Sequence, residues 1–271
     1  MHPSQIFGNI RILLLAFASA VVLCACGGEA GSSGWRFDAV TVPEEGETYA
    51  GEAVMTYSAI ELPELRLVRE DGADEEPPEE LTAVRDTFNN AMAFERALYD
   101  EELYELDQLA RARYAAGSQG FGPFRTLGHS LTVMELHQNE SLLSVWAEGA
   151  TGWGGNHPWH AVRTWNYDLN EGRFISWEDL GKNVRSLREA VAKEIKIRLE
   201  RRGTDSCLPG WEGRVERLEG ASFFLGGEGL VVLFDEQTIS ARAEGIRAFE
   251  LPYQELERYF SGYAKKLIGY S

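Results

Sequence analysis

Cysteine, histidine, basic residues and long apolar runs are all in short supply, and each shortage excludes something. Three cysteines occur in 271 residues. Cys24 and Cys26 lie together near the N-terminus, which leaves Cys207 as the single thiol of the main body of the chain. No intramolecular disulfide can form there, so packing must hold the fold, and Cys207 is either buried and inert or pairs between chains. The apolar run 12–22 is too short to span a bilayer comfortably. Basic residues number 26 against 43 acidic ones, a formal net charge of −17. That surface repels nucleic acid and anionic lipid headgroups and permits a basic protein partner. The five histidines include no H-E-x-x-H, and no G-x-S-x-G accompanies any serine. The reading therefore favours binding over catalysis, with no cofactor.

The N-terminal stretch has the form of a targeting signal. Arg11 precedes the apolar run, which ends in Leu23-Cys24-Ala25-Cys26-Gly27. These residues resemble a bacterial lipobox, which implies cleavage after Ala25 and acylation of Cys26. The expected arrangement is a signal peptide over 1–25 and a lipid-anchored tether over 26–48, rich in small residues from Gly27 to Gly34. Two or three acyl chains anchor a protein far more firmly than one. Gly27 after the cysteine points to the outer membrane, facing the periplasm, if the cell has two membranes.

Further on, the apolar pattern alternates between sheet and helix. Short β-prone pieces lie between residues 49 and 68, followed by an acidic, proline-containing loop over 70–80 whose spacing is not that of an EF-hand. Leu81, Val84, Phe88, Met92, Leu98, Leu103, Leu106 and Leu109 recur at helical spacing, in one helix or in two broken near Asp100. Period-two runs over 130–137, 141–148 and 161–169 then predict antiparallel strands, with Ala161, Arg163, Trp165 and Tyr167 on one face and Val162, Thr164, Asn166 and Asp168 on the other. Val184, Leu187, Val191, Ile195 and Leu199 mark a second amphipathic helix, with Asn183 before it and Gly203 after it. Two strands joined at 226–229, a strand reaching Leu251 and a short helix opened by Pro252 close the chain. The predicted class is α+β: an antiparallel sheet meander packed with two main amphipathic helices.

Several of these segments carry a family likeness. Arg163-Thr164-Trp165-Asn166-Tyr167-Asp168-Leu169, the turn Asn170-Glu171-Gly172-Arg173, Ile175-Ser176-Trp177-Glu178-Asp179-Leu180 and the terminal Phe249-Glu250-Leu251-Pro252-Tyr253 are similar to a bacterial envelope domain of unknown function. That domain is seen at the C-terminus of the lysozyme-sensing anti-sigma-V factor. A companion domain, also found in some peptidoglycan deacetylases, resembles the region before it, ending in Gly154-Gly155-Asn156-His157. The resemblance divides the chain into a companion α+β region over 49–158 and a family-like α+β domain over 159–271. It implies an extracytoplasmic module that senses or binds an envelope component. The family's tyrosine-rich segment before the closing strand has no counterpart in 237–245.

Candidate chemistry concentrates at the seam between the two regions. His157 and His160 could serve a metal-dependent hydrolase only with a third ligand, from His129 or His137. Trp153 and Trp159, with Trp165 and Trp177, could stack on a sugar ring or could pack in the core. Glu178-Asp179 are adjacent residues that point apart, unlike the facing carboxylates of a glycosidase. The candidate ligand-binding residues are therefore Trp153, His157, Trp159 and His160, and Cys26 is the lipidation site. The expected function is binding of a wall-associated protein of lysozyme-like character or of peptidoglycan glycan. A metal-dependent hydrolase and a purely structural lipoprotein are the alternatives.

Overall fold

The computed structural model describes residues 34–71, 75–117, 125–155 and 157–270. The signal segment, Cys26 and the start of the tether lie outside the described residues, as does Asn156. The chain enters as a long hairpin, β1 (Trp35–Ala50) and β2 (Ala53–Arg69), paired antiparallel from Trp35↔Arg69 to Ala50↔Ala53. Residues 35–48 thus belong to a strand and correct the expected tether, which can extend no further than residue 34. Apolar alternation missed this strand because most of 41–50 is exposed, with Pro43, Glu44, Glu45 and Glu47 along it.

One helix of 37 residues, α1 (Glu79–Ala115), follows without a break at Asp100. Glu79 and Glu80 stand in its first turn and Arg113 in its last, as the helix dipole favours. Its buried stripe is Phe88, Met92, Tyr99, Leu106 and Ala110, whereas Leu98 faces outward. The helix is also a crossover. It returns the chain so that β3 (Leu127–Gln138) pairs parallel to β2 over Thr56↔Leu127 to Ile60↔Leu131. The expected meander is therefore corrected at this point to a mixed sheet. β4 (Leu142–Gly152), β5 (Trp159–Asp168) and the short β6 (Arg173–Phe174) continue it antiparallel, in the order β1-β2-β3-β4-β5-β6. β5 pairs with β4 from Thr151↔Trp159 to Leu142↔Asp168, so the seam at 158/159 falls between two strands of one continuous sheet.

Ser176 opens the single turn α2 (Trp177–Leu180) through a capping box with Asp179. Asn183 caps α3 (Val184–Arg202), accepting from the Ser186 amide, and Gly203 ends it at φ 93°. After α4 (Trp211–Arg217), strands β7 (Ala221–Leu225), β8 (Gly229–Phe234) and β9 (Arg247–Pro252) form a second antiparallel sheet. Two short helices, α5 (Tyr253–Leu256) and α6 (Gly262–Leu267), finish the fold. Among the described residues no helix is long and apolar enough to cross a membrane.

The layers follow from strand parity. Leu143, Val145, Ala147, Trp165 and Tyr167 point to α1 and pack with Phe88, Met92 and Tyr99, and the Tyr167 hydroxyl donates to the Val84 carbonyl at 2.8 Å. Val162, on the other face, packs with Phe224 and Leu233 of the second sheet. The far side of that sheet buries Phe223, Leu225, Val232 and Phe234 against Leu187, Val191, Ile195 and Leu199 of α3. The core is thus shared among α1, two sheets and α3.

A buried polar pair joins the two sheets. Ser144 Oγ donates to Asn166 Oδ1 at 2.6 Å, and Asn166 Nδ2 donates to the Phe223 carbonyl at 2.8 Å. The Leu225 amide donates to Ser144 Oγ at 2.9 Å and lies 3.3 Å from Asn166 Oδ1. These are outward-facing backbone groups of the edge strand β7, and no water replaces a lost partner in a buried site without cost. Replacing Asn166 with Leu is expected to lower unfolding free energy by about 2–4 kcal/mol, because several buried polar atoms lose partners together. Asn89 accepts from the Leu65 amide and donates to the Leu65 carbonyl, both at 2.9 Å and part-buried, and Asn89→Ala should cost less, about 1 kcal/mol. Urea denaturation of the two variants checks this ranking, and an Asn166 variant no weaker than the Asn89 one contradicts it.

Candidate functional site

The loop of residues 153–158 connects β4 to β5, which Trp159 and His160 open, and is gripped at both ends. Gly154 turns with φ 80°, and a Cβ there would come within 3.1 Å of Leu127 and 3.2 Å of Arg113. From the last turn of α1, Arg113 donates to the Trp153 carbonyl at 2.6 Å. At the other end Arg242, in the loop between β8 and β9, donates to the carbonyls of His157 and Pro158 at 3.0 and 2.7 Å. Its guanidinium also lies over the Trp159 ring, 5.9 Å from the centroid.

Arg242 is itself fixed by a buried carboxylate. Glu236 is 2% exposed, and its Oε1 lies 2.6 Å from Arg242 Nε. The contact is a charge pair out of line for a hydrogen bond, since that oxygen has no hydrogen-bond partner. The other oxygen, Oε2, accepts from the His160 amide at 3.0 Å, and Asp235 Oδ1 accepts from the Val162 amide at 2.7 Å. His160 Nδ1 meets Glu148 Oε1 at 2.5 Å and donates to it, since an ionised carboxylate can only accept. The residues that hold the loop (Arg113, Glu148, Glu236 and Arg242) are far apart in sequence and leave no local motif.

Trp153 and Trp159 are 53% and 42% exposed, whereas Trp165 is 6% exposed in the core beneath α1 and Trp177 packs on Phe223 at 4.7 Å. The four tryptophans therefore split into two surface rings beside the loop and two packing residues. His157 is exposed and offers its carbonyl to Arg242.

Strand register separates the histidines. His129 pairs with Thr151, and Thr151 with Trp159, so these three share the face toward α1. His160 is one residue further on and occupies the opposite face with Glu148. His137 is at the other end of β3 against the turn at Gly227, about 26 Å along the strand from His129. Among the described residues no three His, Cys, Asp or Glu side chains are placed to share a metal ion.

His129 is the most perturbed titratable group of the region. It is 4% exposed, Nδ1 bonds the Thr151 hydroxyl at 2.9 Å, and the Tyr99 ring lies 4.5 Å away. Two influences oppose each other. Burial, seconded by the Arg163 charge, disfavours the imidazolium, while Glu102 Oε2 at 3.2 Å favours it. Glu102 is half exposed and screened by water, so burial prevails and the pKa is lowered from 6.5 to about 4. Burial likewise pushes the Tyr99 hydroxyl up to about 12.

The architecture defines the class of protein first: an α+β domain in which a long crossover helix and a second sheet cover the two faces of a mixed sheet. The sequence matches no family model and no curated protein. A solved bacterial structure shares the fold. A member of the DUF3298 family from Bacteroides fragilis aligns over 87% of this chain and 96% of its own, at 14% identity and a TM-score of 0.58. A DUF3298 family protein from Pseudomonas aeruginosa aligns over 84% of this chain and 95% of its own, at 12% identity and a TM-score of 0.47. The chain has the fold of a bacterial domain of unknown function.

A histidine held neutral in the folded state carries a pH dependence of defined sign. Below 6.5 the unfolded chain binds a proton that folded His129 refuses until about pH 4. Its contribution is therefore complete above 6.5 and is lost as pH falls through that window, by about 3 kcal/mol. The measurement is the urea midpoint at pH 7 and pH 4 for wild type and His129→Gln. The wild type should lose more stability than the variant, and equal losses would refute the assignment.

Proposed function

We propose that the protein is a lipid-anchored, non-catalytic module of the bacterial envelope that binds a wall-associated glycan through Trp153 and Trp159. The observation that carries this reading is the pair of exposed tryptophans flanking a loop fixed by Arg113 and Arg242. Aromatic faces pack on the apolar C–H surfaces of sugar rings. Backbone contacts that already hold Trp153, His157 and Pro158 reduce the entropy lost on binding. The anchor rests on the lipobox-like Leu23-Cys24-Ala25-Cys26. The envelope setting rests on the resemblance to the anti-sigma-V factor and its companion domain, and the fold shared with a Bacteroides fragilis DUF3298 structure supports a bacterial domain of unknown function.

A second reading takes a basic wall-associated protein, lysozyme-like in character, as the partner. It draws on the net charge of −17 and on the same resemblance. A metal-dependent hydrolase built on His157 and His160 has less support, since His160 faces Glu148 and no third ligand joins them among the described residues.

Two measurements test the proposal. Trp153→Ala/Trp159→Ala should fold normally, since both rings are exposed, and should weaken co-sedimentation with purified peptidoglycan roughly tenfold, at about 1 kcal/mol or somewhat less for each ring. Retention by immobilised lysozyme-type protein, unchanged in the tryptophan variant, would favour the second reading. No retention on either would leave the structural lipoprotein. Separately, Cys26→Ser should move the protein from the membrane to the soluble fraction and abolish fatty-acid labelling.

A further inference from the structure

Beside the two exposed tryptophans stands a cation whose donors are unequally used. Arg242 has 41% of its side chain exposed. Its Nη2 donates to the His157 and Pro158 carbonyls, and its Nε faces Glu236 Oε1 at 2.6 Å. Among the described residues its Nη1 makes no hydrogen bond. Glu236 lies beneath at 2% exposure, and Oε1 has no hydrogen-bond partner of its own. A buried carboxylate is costly unless it is paired. Neutral donors would suffice to hold two carbonyls, so clamping the loop does not by itself account for a buried anion set against an exposed guanidinium.

The guanidinium lies over one face of the Trp159 ring, 5.9 Å from the centroid, and leaves the other face for a sugar. A substituent projecting past the edge of that ring comes within reach of Nη1. The carboxylates nearest this place are turned to other partners: Asp235 to the Val162 amide, Glu148 to His160, and Glu236 to the His160 amide as well as to Arg242. The net charge of −17 opposes an anion only at longer range. That repulsion is screened beyond about 8 Å at physiological salt, so the short contact decides.

We propose that Arg242 makes this surface selective for glycans that carry a carboxylate beside the ring, with the sugar on Trp159 and its carboxylate accepting from Nη1. The inference rests on the glycan reading and narrows it to a substrate class. A charge-assisted hydrogen bond is about twice as strong as a neutral one, so the hydroxyl and amide groups of an uncharged sugar satisfy the same donor less well. Two sources share the chemistry: the lactyl ether of a muramic residue freed of its peptide, and a uronic acid.

The test is calorimetric titration of the full chain with two matched pairs of ligands. One pair is a peptide-free muramyl tetrasaccharide and the same tetrasaccharide with its carboxylates amidated. The other is a galacturonic acid tetramer and its methyl ester. The wild type should bind the acid of at least one pair about tenfold more tightly than its neutral form. Preference within the first pair assigns the carboxylate to a lactyl ether, and preference within the second assigns it to a uronic acid. Arg242→Gln should bring the ratio close to one, whereas Arg113→Gln should preserve it. A loop merely loosened by the substitution would weaken acid and neutral forms alike, so an unchanged ratio in Arg242→Gln overturns the assignment. Circular dichroism shows whether each variant folds, and the wild-type ratio remains decisive if one does not. Equal binding of acid and neutral forms by the wild type overturns the preference while the glycan reading stands. Binding of no glycan at all removes both.

Discussion

A strand at the edge of a sheet leaves a row of backbone donors and acceptors without partners, and this fold closes those rows with side chains. Asn166 and Ser144 take the free edge of β7, and through it the second sheet is fastened to the first. Asn89 holds both backbone groups of Leu65 at 2.9 Å where β2 has left β3. Gln138 spans the Phe37 carbonyl and the Ala39 amide on the outer side of β1. Glu61 accepts from the Val133 amide where the parallel pairing ends, and Asp235 and Glu236 cover β5 beyond the reach of β6. Each contact satisfies groups that would otherwise be costly to bury or would invite another chain to pair. The remaining stretch of β1 carries Pro43 and three glutamates, which discourage such pairing by themselves.

The loop between β4 and β5 belongs to the same scheme. Glu236 serves two ends, taking the His160 amide and steadying Arg242, whose guanidinium then holds the His157 and Pro158 carbonyls. His157 and His160 both contribute backbone groups to these contacts, and the His160 ring also meets Glu148. Trp153 and Trp159 face outward beside the exposed Gly155, His157 and Pro158. Charged groups from remote segments hold Trp153, His157 and Pro158 by their carbonyls, so the surface they present is the product of the whole fold.

Much of the architecture was legible in the residues. The apolar period of Leu187, Val191, Ile195 and Leu199, closed by Asn183 and Gly203, gave α3 its bounds, and alternation in β5 correctly divided Trp165 and Tyr167 from Val162 and Asn166. Local signals of this kind depend on burial along one face. They fail for β1, whose exposed ribbon has little apolar face to reveal, and for the parallel β2–β3 pairing, since a crossover leaves no turn residues to mark it. Leu98 fitted the helical count but faces outward, while Tyr99 takes the buried place. At the candidate site, Trp153, His157, Trp159 and His160 were visible as a cluster of unusual residues. Arg113, Glu148, Glu236 and Arg242 were not, because their roles arise only when strands distant in sequence come into register.

The position of β1 also decides how the domain bears a mechanical load. The described chain enters at Trp35, at the open end of the hairpin and on the outermost strand of the six-stranded sheet. A pull on the N-terminal side draws β1 away from β2 one pair at a time, starting at Trp35↔Arg69, rather than shearing many hydrogen bonds together. The Gln138 contact to Phe37 and Ala39 stands almost at the start of that path and acts as its first latch. Tension would thus be spent on a peripheral ribbon, while the buried Ser144–Asn166 junction and the layers around it stay outside the line of force.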